Sequence, residues 1–180
     1  MSPNISEHKN KLPHLITSIR ILLAPIFFFS VLNLSQLDSI FIFLLTIVTD
    51  GLDGYTARKL GTTTSQGAYF DVFADFIWIL AAFSAFSIVG LYPAWLIILF
   101  TFMFVQFIVT SRFKVPIYDP VGKYYGSFLF LTVFISLIFI SNWINTLLTA
   151  TIIIFSATSL GSRFYFLIKH EAGGNNLKEP

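Results

Sequence analysis

The chain has 180 residues, 56% of them hydrophobic and 11% charged, with a formal net charge of +2 and no cysteine. A soluble domain carries roughly a quarter charged residues, so this composition excludes an ordinary aqueous globule. The small net charge gives no footing for nucleic acid, and the missing thiols exclude disulfide frameworks and cysteine metal sites.

Twenty-two phenylalanines in so short a chain point to lipid contact. The expected fold class is an all-α membrane protein, a single bundle of six transmembrane helices among membrane lipids. Residues 1–14 are expected as a polar cytoplasmic or interfacial lead-in, 15–170 as the six-helix domain and 171–180 as a polar tail. The first apolar run, Leu15 to Leu34, is too long for a cleaved signal core and lacks a small-residue cleavage pattern. The second, Ser39 to Thr49, is short, but a helix can continue it through the polar residues Asp50 to Lys59. Four more follow at Tyr69–Leu91, Ala94–Val109, Gly126–Ser141 and Ile144–Leu160. Asp38 reads as a cap of the second helix or a solvated loop residue. Gln106 and Asn145 are expected to bond between helices, as membrane amides do.

All eleven basic residues fall on one side of this path. Lys9, Lys11 and Arg20 open it, and Arg58 and Lys59 lie between the second and third spans. Arg112, Lys114 and Lys123 lie between the fourth and fifth, and Arg163, Lys169 and Lys178 follow the core of the sixth. The positive-inside rule then puts both termini and these connections in the cytoplasm of a multi-pass protein of the inner or plasma membrane. Tyr92, Trp95 and Trp143 fall at the opposite ends, where an aromatic belt is expected.

The chemistry is concentrated between Thr49 and Phe76. Four of the nine acidic residues lie there: Asp50, Asp53, Asp71 and Asp75. Asp50 and Asp53 share a helix face, as do Asp71 and Asp75. A short connection joins the two helices, so antiparallel packing would gather the four carboxylates at the cytoplasmic end. Acids in a surface loop are the bland alternative, disfavoured because ionisable groups in a membrane segment are costly. Two divalent cations would balance four carboxylates. Oxygen donors with no cysteine or nearby histidine favour Mg²⁺ or Mn²⁺. Such a pair clamps phosphoryl groups. Gly54 and Gly67 admit a ligand or a neighbouring helix closely, Ala57 is small, and Arg58 suits phosphate.

The pattern Asp53-Gly54-x-x-Ala57-Arg58, eight residues, Gly67-x-x-x-Asp71-x-x-x-Asp75 resembles the signature of the CDP-alcohol phosphatidyltransferase family, and Asp50 matches its additional Asp. The resemblance implies transfer of a phosphatidyl group from a CDP-lipid, usually CDP-diacylglycerol, to an alcohol, with release of CMP. It assigns Asp50, Asp53, Asp71 and Asp75 to a two-metal site and makes Asp75 the base for the acceptor hydroxyl. It sets Gly54, Ala57 and Gly67 against the nucleotide and Arg58 against its phosphates, and it implies a homodimer.

Thr17 and Arg20, and the pair Gly122-Lys123, are similar to the phosphatidylglycerophosphate synthase branch. Val72 and Phe76 stand where that branch usually has Pro and Lys. Glycerol 3-phosphate is therefore the expected acceptor, with serine, inositol phosphate or phosphatidylglycerol as alternatives. Its phosphate needs cations, and Arg112, Lys123 and Arg163 are the candidates, with Arg20 and Lys114 behind them. Anchoring of helix ends is the bland reading of all these residues. An ion or proton transporter is the distant alternative, but it predicts midplane charges and inverted repeats that the sequence lacks.

Overall fold

The computed structural model describes residues 5–60, 65–111 and 121–175; at the starts of α1 and α3 and towards the ends of α2 and α6 it describes the helical backbone alone for some or all residues. Six α-helices follow in order: α1 (Ile5–Leu32), α2 (Gln36–Leu60), α3 (Ser65–Ile88), α4 (Trp95–Ser111), α5 (Tyr125–Ile138) and α6 (Asn142–Asn175). A 3-10 turn, Gly122–Tyr124, leads into α5. There is no strand among the described residues. The architecture is all-helical, as the apolar runs predict. α1 and α6 outlast those runs because the polar residues flanking them are mostly serviceable helix formers.

Two helix ends close alike. At the end of α3, Gly90 (φ 80°) donates its N–H to Ser87 O and Leu91 donates to Phe86 O. At the end of α1, Leu34 (φ 56°) donates to Val31 O and Ser35 to Ser30 O. Glycine takes this left-handed position freely, whereas leucine costs about 1 kcal/mol or more there. Ser35 then donates through its hydroxyl to Asp38 in the first turn of α2, so Asp38 takes part in the cap.

α1 packs along both α2 and α3, and α5 bridges α2, α3 and α6. Trp78 of α3 is fully buried at the centre. Its ring lies 4.7 Å from Phe27 of α1, 5.7 Å from Phe43 of α2 and 5.0 Å from Phe130 of α5. Phe76 stacks on Phe104 of α4 at 4.0 Å, and Phe128 on Phe155 of α6 at 4.5 Å. Phenylalanine therefore serves the core as well as the outer surface.

That outer surface is apolar: Phe29, Phe41, Ile98, Phe102, Leu131 and Ile154 all face outward. Contiguous apolar surface on this scale marks contact with lipid or protein. Two stretches are long and apolar enough to cross a membrane, Tyr69–Ile88 and Asn142–Tyr165; Ser18–Leu32, Trp95–Ser111 and Gly122–Ile138 are apolar but shorter.

Two expectations change. Tyr92 is not an interfacial anchor. Its ring packs 5.1 Å from Phe83 inside the core, and its hydroxyl shares a 2.6 Å hydrogen bond with Ser136. Trp95 and Trp143 are exposed. Asn145 makes no interhelical bond: its amide is buried and neither polar atom has a partner among the described residues.

Candidate active site

α2 continues helically through Asp50 to Leu60, and α3 carries Asp71 and Asp75 in its first turns. Arg20 of α1 lies between these carboxylates, 1% exposed. Its Nη1 donates to Asp75 Oδ1 at 2.5 Å and to Asp71 Oδ1 at 3.4 Å, while Nη2 donates to Asp50 Oδ1. Its Nε has no acceptor among the described residues. Three carboxylates thus face one guanidinium.

The donor set suits hard divalent cations in kind, since it offers carboxylate oxygens without thiol or imidazole. It is not a closed cage: no group of three or more acidic, histidine or cysteine side chains among the described residues stands ready to hold an ion. Asp53, Gly54, Ala57 and Arg58 fall on the last turns of α2, where the helical backbone alone is described, and Arg112 lies outside the described residues altogether. Gly67 is half-buried at the start of α3.

Asp75 also opens onto a cavity of about 260 Å³ between α3, α4, α5 and α6. Lys123, Arg163, Gln106, Tyr125, Ser127 and Ser159 line it along with apolar residues. Two of the three candidate phosphate-binding cations therefore share a chamber with the expected base. Lys123 is exposed, with its ammonium 4.6 Å from the Tyr124 ring. Arg163 is 4% exposed. Its Nε donates to Thr110 Oγ1 at 2.6 Å, and its Nη2 donates to Phe107 O and to Ser111 Oγ, each at 3.1 Å. Its guanidinium lies 5.0 Å from the Phe107 ring. These acceptors orient the group without cancelling its charge.

Residues 10–159 match the family described as CDP-alcohol phosphatidyltransferase. The chain belongs to that family. The matched span holds Arg20, Asp50, Asp53, Asp71, Asp75 and Lys123, and stops just short of Arg163. Three relatives are each named CDP-diacylglycerol--glycerol-3-phosphate 3-phosphatidyltransferase. The protein from Pseudomonas fluorescens is 43% identical over 67 residues, 36% of this chain and 34% of its own length. That of Haemophilus influenzae is 39% identical over 77 residues, 41% and 42% of the two chains. That of Bacillus subtilis (strain 168) is 33% identical over 102 residues, 48% and 53% of the two. The matched stretches thus span about a third to a half of those relatives.

By sequence Arg20 is a reserve cation for the acceptor; the structure places it among the aspartates instead. The signal was there: an arginine inside an apolar run needs counter-charges. Thr110 and Ser111 gave no such signal, because hydroxyls in apolar helices commonly bond back to their own turn. Thr110 does so as well, donating to Gln106 O at 2.6 Å.

Proposed function

We propose that this protein transfers a phosphatidyl group from CDP-diacylglycerol to glycerol 3-phosphate and releases CMP. Family membership over residues 10–159 supports the reaction class, and the names of the relatives support the acceptor. The observation that carries the proposal is that Asp75 lines the same cavity as Lys123 and Arg163. An acceptor whose phosphate meets those two cations presents its hydroxyl to the aspartate end.

In this reading Asp50, Asp53, Asp71 and Asp75 hold two Mg²⁺ or Mn²⁺ ions. When bound, the ions neutralise the diphosphate and the charge that develops on transfer. Asp75 takes the proton of the acceptor hydroxyl; the oxygen bonds to the lipid-side phosphorus, and the bond to CMP breaks. Gly54, Ala57 and Gly67 leave room for the nucleotide, and Arg58 donates to its phosphates. Lys123 and Arg163, with Arg112, bind the acceptor phosphate and fix its orientation.

The protein spans the membrane six times as a homodimer, with termini and active site on the cytoplasmic side. The apolar outer surface and the confinement of basic residues to one side support this topology. The test is purified protein with labelled CDP-diacylglycerol, Mg²⁺ or Mn²⁺, and a panel of glycerol 3-phosphate, inositol phosphate, serine and phosphatidylglycerol. Metal-dependent CMP release with phosphatidylglycerophosphate as the product is expected. Efficient use of serine with glycerol 3-phosphate ignored would sink the acceptor assignment; no CMP with any acceptor would sink the reaction.

A further inference from the structure

A buried guanidinium is held where its charge is compensated, and Arg20 finds that compensation in three carboxylates on two helices. Through Oδ1 of Asp50, Asp71 and Asp75 it occupies oxygens that a divalent cation could also use. A carboxylate oxygen spent on a charge-assisted hydrogen bond is a poorer metal ligand. Charge points the same way. Two divalent ions would balance all four aspartates and make the buried guanidinium surplus. The bond to Nε is also unmade among the described residues, and the three bonds to carboxylates use only three of the five guanidinium donors.

We propose that Arg20 is a built-in counter-cation, which holds the aspartates together while no metal is bound and is displaced from them when metal enters. This inference rests on the metal-site reading above. Arg20 then stabilises the metal-free protein and weakens its metal affinity, and the two effects are linked reciprocally. A permanent structural ion pair would behave otherwise, because its loss would loosen the aspartates and weaken metal binding.

The test compares wild type with Arg20→Gln, both full-length, purified in detergent and stripped of metal. Mn²⁺ affinity is read by calorimetry and unfolding temperature by a thermal ramp. Arg20→Gln is expected to unfold at a lower temperature without metal, to bind Mn²⁺ about 10- to 100-fold more tightly, and to gain more in unfolding temperature from saturating Mn²⁺. Equal or weaker Mn²⁺ affinity overturns the inference while leaving the metal site standing. If Arg20→Gln does not fold, Arg20→Lys serves: a single ammonium cannot span three carboxylates as the fork does, so Mn²⁺ should again bind more tightly than in wild type, and equal or weaker affinity again overturns the inference. If neither wild type nor variant binds Mn²⁺, the metal reading falls and takes this inference with it.

Discussion

Arg20 and Arg163 are both almost wholly buried at the same end of the bundle, and they are held by opposite means. Arg20 donates to three carboxylates; the described partners of Arg163 are two hydroxyls, a carbonyl and an aromatic face. Inside a low-dielectric bundle a charge is tolerated if a counter-charge or oriented dipoles replace its water. The first sets the guanidinium among opposite charges, whereas the described partners in the second are oriented dipoles and a ring face. Asp75 belongs to both environments, bonding Arg20 and lining the cavity of Arg163. On the proposed function, the Arg20 side would take metal and the Arg163 side the acceptor phosphate, with Asp75 at the junction.

The sharpest way to break this division is at the junction. Asp75→Asn removes the proposed base and a metal ligand together. Base loss alone is worth about 10²–10⁴ in rate, so transfer should fall by several orders of magnitude while CDP-lipid binding stays measurable. A variant that transfers normally but binds the CDP-lipid poorly would end the assignment. Next in size, Asp71→Asn acts on the Arg20 side only. Turnover should be lost even at saturating Mg²⁺, yet the unfolding temperature of the metal-free protein should hold or rise. Losing one carboxylate still leaves Arg20 paired with Asp50 and Asp75 and relieves repulsion among the acids. Wild-type turnover would refute the metal role, and a collapse in stability would make Asp71 a structural partner instead.

On the other side, Arg163→Gln should raise the KM for glycerol 3-phosphate by roughly ten- to a hundred-fold, the loss of about 1.5–3 kcal/mol expected for a charged hydrogen-bond partner. CDP-lipid binding should hardly change. The same substitution at exposed Lys123 should cost less, because water screens its charge. Steady-state kinetics with each substrate varied separately decides it. An equal loss for both substrates would mean that Arg163 merely supports the fold.

The comparison also marks what the sequence makes legible. Local chemistry reads well: the apolar runs give six helices, and the spacing of Asp50, Asp71 and Asp75 on two consecutive helices foretells that they meet. Long-range partnership reads poorly. Arg20 lies 51 and 55 residues before Asp71 and Asp75, and nothing in its neighbourhood names those partners. Only the cost of its burial does. Tyr92 misleads for a related reason. Its place between two apolar runs suggests a membrane interface, but Ser136 offers its hydroxyl a bond inside the core. Leu34 shows the reverse: a tight turn between α1 and α2 forces it to positive φ, where the sequence offers no glycine.

Thr110 provides the smallest and most selective test. Its hydroxyl has one proton, which goes to Gln106 O at 2.6 Å, and an oxygen lone pair accepts from Arg163 Nε, also at 2.6 Å. The hydroxyl therefore fixes the guanidinium relative to α4 without touching the cavity substrate itself. Thr110→Val keeps the shape and removes both bonds. Arg163 keeps Phe107 O and Ser111 Oγ, so the charge stays in the chamber but its orientation loosens. The cost should be near that of one hydrogen bond, about 1 kcal/mol or roughly fivefold, in the KM for glycerol 3-phosphate, with kcat and CDP-lipid KM nearly unchanged. Thr110→Ser retains the hydroxyl and should restore the KM even if its lost methyl lowers the unfolding temperature. Stability and KM would then move independently, which a purely structural role does not allow. If serine fails to restore the KM, or if valine raises the KM for both substrates alike, Thr110 does not position Arg163 for the acceptor.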